Sequence, residues 1–196
     1  MRELFVDTET TGFINFRLPL DHPSQPHLVQ LAMILRDDGN EVGHVNMVVR
    51  CPVEIPEKAR EVHGYDQSTT DRIGVTPHTA CSVFHEMAPE VIIAHNADFD
   101  RGIMEIALNR ASIPIPWNCS LQNWFCTMKA SESHCRIPAT EKQIRAGFKK
   151  RGEFKQPKLE EALEILTGKK MVGAHDALAD VRACAKVYDW LKKNPN

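Results

Sequence analysis

Carboxylates gathered in one place hold divalent cations, and this chain carries acids in three short clusters with a histidine beside one of them. Asp7 and Glu9 stand two apart, just after the apolar stretch Glu3-Leu4-Phe5-Val6. In a strand, period-two alternation puts both side chains on the same face. Gly12 then lets the chain turn away, leaving the pair at a strand end, where α/β folds commonly place ligands. Adjacent acids repel unless a cation neutralises them, and Mg²⁺ favours carboxylate oxygens. A solvated strand end is the commoner explanation of an isolated Asp-x-Glu, so the pair alone decides little.

The second cluster, His95-Asn96-Ala97-Asp98-Phe99-Asp100, follows the apolar run Val91-Ile92-Ile93-Ala94. The helix dipole favours acids in a first turn, which is enough to explain Asp98. Asp100 lies nearly opposite Asp98 on a helix, so one faces the interior and the other solvent. The spacing does not choose between them. The third cluster is His175-Asp176-Ala177-Leu178-Ala179-Asp180. A five-residue step is a rotation of ~140° beyond a full turn, so two residues that far apart do not share a narrow stripe. His175 therefore precedes the regular helix and leans over the site, while Asp180 projects from the next turn. A capping or surface role is the plainer reading of such a histidine taken singly.

The elements that position these groups follow from pattern. Leu28 to Leu35 and Glu41 to Arg50 are strands around Asp37-Asp38-Gly39-Asn40, where Asp-Gly favours a tight hairpin turn. With the first strand they make an antiparallel meander. Glu57 to His63 is a short helix begun by Pro56, and Thr76-Pro77 starts another that runs from Thr79 to Met87. Val91 to Ala94 is too short for a helix and apolar on both faces, as a buried parallel strand would be. A helix over Asp98 to Arg110, a strand over Ser120 to Cys126, a polar stretch without a clear period from Lys129 to Lys158, and helices over Pro157 to Thr167 and Ala174 to Lys192 complete the chain. A meander followed by alternating helix and strand indicates an α/β fold on a mixed sheet. Nothing reads as a linker, so residues 1–196 are expected to form one domain, with 129–156 a basic insertion.

Bulk properties narrow the class. The chain has 196 residues, 42% hydrophobic and 26% charged, with a formal net charge of −2. That balance gives no bulk electrostatic drive toward nucleic acid, although bound cations could neutralise substrate phosphates locally. The cysteines at 51, 81, 119, 126, 135 and 184 form no Cys-x-x-Cys pair and no zinc-finger spacing. Reduced thiols, no apparent signal peptide and no apolar run near the ~20 residues that span a bilayer lead us to expect a soluble, cytoplasmic protein without a membrane partner.

Asp-Thr-Glu-Thr-Thr-Gly, then His-Asn-Ala-x-Phe-Asp, then His-x-x-x-x-Asp, in that order across residues 4–190, resembles the DEDDh exonucleases. That family includes ribonuclease T, oligoribonuclease and the epsilon proofreading subunits of bacterial replicative polymerases, to which the chain looks most similar. Val62-His63-Gly64-Tyr65 also looks like the family's short His-Gly segment. The resemblance implies a ribonuclease H-like fold with a five-stranded mixed sheet flanked by helices. It selects Asp100 over Asp98, makes Asp7, Glu9, Asp100 and Asp180 the ligands of two Mg²⁺ or Mn²⁺ ions, and makes His175 the general base. Nucleic acid is then the partner, single-stranded DNA before RNA, with a DNA polymerase as a possible second. One departure is Cys126-Thr127, where the family often has aspartate-threonine.

Around the metals, Thr8, Thr10 and Gly12 would offer backbone or hydroxyl contacts to the terminal nucleotide, and Phe13 would stack on a base or pack within its own loop. His63, His95 and Asn96 are expected to line the same pocket. In 141–158, seven lysines and arginines face two glutamates, with Phe148 and Phe154 interleaved. That composition suits a strand's phosphates, and equally a solvated face. Two readings compete with a DNA exonuclease: an exoribonuclease with the same carboxylates, and a catalytically idle polymerase-associated binding module. The complete set of five chemical positions argues against the second.

Overall fold

The computed structural model describes residues 1–116, 123–173 and 176–195. Its centre is β1 (Arg2–Thr10), which pairs antiparallel with β2 (Leu28–Asp37) on one side and parallel with β4 (Val91–Ala94) on the other. β3 (Asn40–Val48) lies antiparallel outside β2, and β5 (Trp124–Cys126) parallel outside β4. The order β3-β2-β1-β4-β5 is the mixed five-stranded sheet expected from the sequence. The hairpin turn carries Asp38 and Gly39 at φ values of 46° and 82°, the two left-handed positions that a two-residue Asp-Gly turn requires.

Alternation along β1 divides the molecule. Leu4 and Val6 face α3 (Pro77–Met87) and α4 (Ala97–Arg110), packing with Phe84, Ile103 and Met104. Phe5 faces the opposite way, toward α8 (Ala177–Lys193), and packs with Ile34, Ile93, Val181 and Ala185. Burying Phe5 fully contributes about 1.5–3 kcal/mol. Small residues on α8, Ala177, Cys184 and Ala185, bring this helix close to the strands. α5 (Thr127–Cys135) and α7 (Leu159–Thr167) pack on the outer side of α8 through Cys135, Leu163, Leu166 and Val187.

Three segments differ from expectation. α2 (Gln67–Ile73) has a clear start, since the Asp66 carboxylate accepts from the Thr69 amide at 2.7 Å, but no apolar period to reveal it. The polar stretch after Lys129 holds most of α5 and all of α6 (Glu141–Arg145), the latter begun by a Thr140/Gln143 capping box. β5 is seen over Trp124–Cys126 only; the earlier part of the expected strand, 120–122, lies outside the described residues. Among the described residues no helix is long and apolar enough to cross a membrane.

Candidate active site

Four carboxylates converge at the C-terminal end of β1. Strand β1 runs on through Thr10, so Asp7 and Glu9 sit inside it, on the α8 face with Phe5. A register shift between Glu9 and Thr10 ends the regular pairing directly beyond them. From α8, Asp180 completes a set in which one oxygen of each of Asp7, Glu9 and Asp180 lies within 4.8 Å of the others. Asp100 enters from the first turn of α4 and is 3% exposed. It is held by Thr8, which points to the α4 face of β1 and donates its hydroxyl to Asp100 Oδ1 at 2.9 Å. Asp98 is half-exposed and ion-paired with Lys129 at 2.5 Å. Of the two, Asp100 is thus the one turned to the interior and Asp98 the one turned to solvent, the alternative that spacing left open. At the β4–α4 junction, Asn96 is exposed and left-handed (φ 76°), turning the chain directly into the helix.

Proximity of these acids carries an electrostatic cost. Burial, then Asp100, Asp180 and Glu9, hold the Asp7 carboxyl well above the usual carboxylate range. Burial and the neighbouring Asp180, Asp100 and Asp176 push Glu9 up to about 8. Burial likewise raises Asp100 to about 7, against the hydrogen bond from Thr8, which favours its ionised form. An all-oxygen donor set that holds protons when bare fits a hard divalent cation, whose charge would displace those protons.

Beside the acids lies a cleft of about 390 Å³ lined by Thr8 to Phe13 on one side and Pro56, Lys58, Ala59, Val62 and His63 on the other. α1 (Glu57–His63) supplies most of the second wall. Phe13 is 92% exposed and meets Phe99 edge-on at 6.4 Å, so ordinary loop packing does not describe it. Its loop is seated where Ile14 crosses Gly102: a Cβ at Gly102 would lie 2.6 Å from Ile14 Cδ1. His63 is buried; its Nδ1 accepts from the Tyr65 amide at 3.1 Å, and burial lowers its pKa, keeping the ring neutral.

Some of the side chains expected at the cleft make hydrogen bonds within the protein. The Thr8 hydroxyl is taken by Asp100, and that of Thr10 donates to the Gly12 carbonyl at 2.7 Å. Both hydroxyl protons are thus engaged within the protein, while Thr8, Thr10 and Gly12 all line the cleft. His95 is not among the residues that line the cleft. One ring nitrogen meets the Thr127 hydroxyl at 3.0 Å and the other the Pro157 carbonyl at 3.1 Å, while burial lowers its pKa to about 4. His95 fastens the segment before α7 to the end of β4. His175 lies outside the described residues.

The 129–156 stretch is partly stapled down. Lys149 pairs with Glu132 at 2.7 Å, Arg151 with Glu141 at 3.4 Å and Lys155 with Glu161 at 2.5 Å. Lys142, Arg145 and Lys150 are exposed, and Phe148 is 81% exposed among them. Gln30, which pairs with Glu9 across the sheet, is not singled out by the sequence, and Asp176 and Tyr65, also near the acids, stand in motif segments without a role of their own. The signal for Gln30 is its polarity in the middle of an apolar strand.

The RNase T exonuclease family model matches residues 4–188. The chain belongs to that family. The description of that family is exonuclease. No curated protein matches the chain in sequence. Among solved structures it is similar to E. coli Exonuclease I in complex with a dT13 oligonucleotide, at 20% identity and TM-score 0.74 over 97% of this chain and 41% of that one. Exonuclease I from Methylocaldum szegediense, at 20% identity and TM-score 0.71, is covered to 41% by 99% of this chain. The zinc-bound E. coli Exonuclease I–ssDNA complex gives 20% and 0.73, again with 99% and 41% coverage. At that identity the shared property is the fold, and the chain spans about two fifths of the length of these structures.

Proposed function

We propose that residues 1–196 form one catalytic domain that removes nucleoside 5′-monophosphates, one at a time, from the 3′ ends of single-stranded or frayed DNA. Two Mg²⁺ or Mn²⁺ ions would be held by Asp7, Glu9, Asp100 and Asp180. The observation that carries the reading is the mutual approach of Asp7, Glu9 and Asp180 beside a cleft edged by an exposed aromatic ring. When bound, the cations neutralise the phosphate and acidify the attacking water.

The chain's own groups do the rest. The Thr8 hydroxyl favours the ionised form of Asp100. His175 would take a proton of the attacking water at a ring nitrogen as the water oxygen bonds to phosphorus and the P–O3′ bond breaks, and the departing 3′-oxygen would take a proton from solvent to leave as the 3′-hydroxyl of the shortened strand. Phe13 stacks on or wedges beside the terminal base, an interaction worth ~1–3 kcal/mol. The cleft, near the small end of the ~300–1,000 Å³ typical of ligand sites, suits one nucleotide better than a duplex. A cytoplasmic location accords with the pattern of thiols, and a DNA polymerase is a partner only through the resemblance to proofreading subunits, which co-purification would test.

The deciding experiment is a gel assay on end-labelled single-stranded DNA, duplex DNA and RNA, with Mg²⁺ and with chelator. Monophosphate release from single-stranded DNA, abolished by chelator, is the expected result. Faster release from RNA would transfer the same chemistry to an exoribonuclease, and no release from any of them would overturn the reading.

A further inference from the structure

Helix α8 must present Asp180 to two other carboxylates that repel it, so its first turn needs an anchor beyond its apolar stripe. The opening N–H groups of a helix have no partners within it. Here the Asp176 carboxylate takes those of Leu178 and Ala179, both at 3.1 Å. Asp180 N–H makes the first ordinary helical bond, to the Asp176 carbonyl at 3.0 Å. The remaining one, Ala177 N–H, donates at 3.4 Å to Gln30 Oε1 on β2. Gln30 is 0% exposed and stands directly across from Glu9 in the sheet. Its amide is fixed in orientation, because Nε2 donates to Asn46 Oδ1 at 2.8 Å and to the Tyr65 hydroxyl at 3.0 Å. Tyr65 in turn stacks on His63, a wall of the cleft, with ring centroids 5.8 Å apart. The Asn46 and Tyr65 bonds leave the amide oxygen aimed at α8.

We propose that Gln30, oriented by Tyr65 and Asn46, is a positioning residue that sets the first turn of α8 and thereby places Asp180 against Asp7 and Glu9. The inference rests on the reading of Asp180 as a cation ligand. Partners one shell behind metal ligands typically govern ~10–100-fold in affinity or activity.

The test is titration of the chelator-stripped protein with Mn²⁺ alone, followed by calorimetry. Gln30→Met keeps the side chain's length and removes both donor and acceptor; its Mn²⁺ dissociation constant is expected to rise about tenfold or more. Tyr65→Phe, which keeps the ring on His63 and loses only the hydroxyl, should show a smaller rise in the same direction. Val187→Ala thins the packing of α8 on α7, far from the acids, and should bind Mn²⁺ as the parent does even though it melts earlier. Wild-type affinity in folded Gln30→Met would overturn the inference, and if Gln30→Met fails to fold, wild-type affinity in Tyr65→Phe would do so. Asp180→Asn, run alongside, separates the two levels: unchanged Mn²⁺ affinity there would refute the cation-ligand reading itself.

Discussion

Removing one charge from the acid cluster should stabilise the protein while disabling it. In Asp180→Asn the side chain keeps its shape and loses its negative charge. Two unit charges 4.8 Å apart interact by about 3.5 kcal/mol at an effective dielectric of ~20, and Asp180 has two such neighbours in Asp7 and Glu9. Glu9 and its neighbours relieve part of that repulsion by keeping protons, so we expect a gain of about 2 kcal/mol in chelator at pH 8, or ~4–8 °C in Tm for a chain of this size. The sign with pH follows from linkage. Glu9 titrates at about 8 when folded instead of 4.5, so over that window the folded protein holds a proton the unfolded chain has released. Stability of the cation-free protein then falls as pH rises from about 4.5 to about 8. The advantage of Asp180→Asn should fade toward pH 5, where its neighbours Asp7, Glu9 and Asp100 hold their protons. Added Mn²⁺ should raise the Tm of the parent more than that of the variant. Thermal unfolding by circular dichroism in chelator reads all of this, and an Asp180→Asn protein that melts at or below the parent at pH 8 would refute the repulsion argument.

Two other expectations concern chemistry and substrate reach. His175→Ala should lose most turnover while its Mn²⁺ titration stays as in the parent, and parental activity should climb as pH passes ~6.5, where an ordinary imidazole becomes neutral; Asp7→Ala should lose both turnover and Mn²⁺ binding. Alanines at Lys142, Arg145 and Lys150 should flatten the plot of log affinity against log salt for single-stranded DNA, by ~0.7 for every phosphate that these cations neutralise in the parent. An unchanged slope would make those cations a solvated face.

What the sequence made legible was whatever depends on near neighbours. Period-two alternation placed Asp7 and Glu9 together, and the Asp-Gly turn, the meander and the buried strand β4 follow from local pattern. Long-range partners are a different matter. Asp98 and Asp100 are indistinguishable by spacing; what separates them is a hydroxyl 92 positions earlier and a lysine 31 positions later. His95 sits in a motif full of functional residues, yet a carbonyl 62 positions on occupies its second ring nitrogen. Gln30 meets α8 across 147 positions, so its polarity was visible but not its purpose. α2 escaped notice because Gln-Ser-Thr-Thr-Asp-Arg-Ile carries a cap without an apolar stripe. For His175 the resemblance remains the whole basis of its role.

The alternation in Asp7-Thr8-Glu9-Thr10 also decides how the fourth acid joins the other three. Successive side chains on β1 point to opposite faces, so a strand end could gather ligands from α8 and leave those of α4 out of reach. Thr8 closes that gap: from the α4 face its hydroxyl reaches Asp100 and favours the charged carboxylate, while Asp7 and Glu9 meet Asp180 on the other face. Thr8→Val keeps the shape and removes the donor. A hydrogen bond to a charged group contributes about 1.5–3 kcal/mol, or roughly one to two decades in the acid's dissociation constant. Asp100 would then titrate above its present value of about 7. At pH 7 a smaller fraction of it would be ionised, and Mn²⁺ affinity should drop; by pH 9 the deficit should narrow as the carboxyl ionises regardless. Thr8→Ser, which retains the hydroxyl, should bind as the parent does at both values. A deficit in Thr8→Val that stays constant from pH 7 to 9 would point to displaced packing and remove the electrostatic role assigned to this threonine.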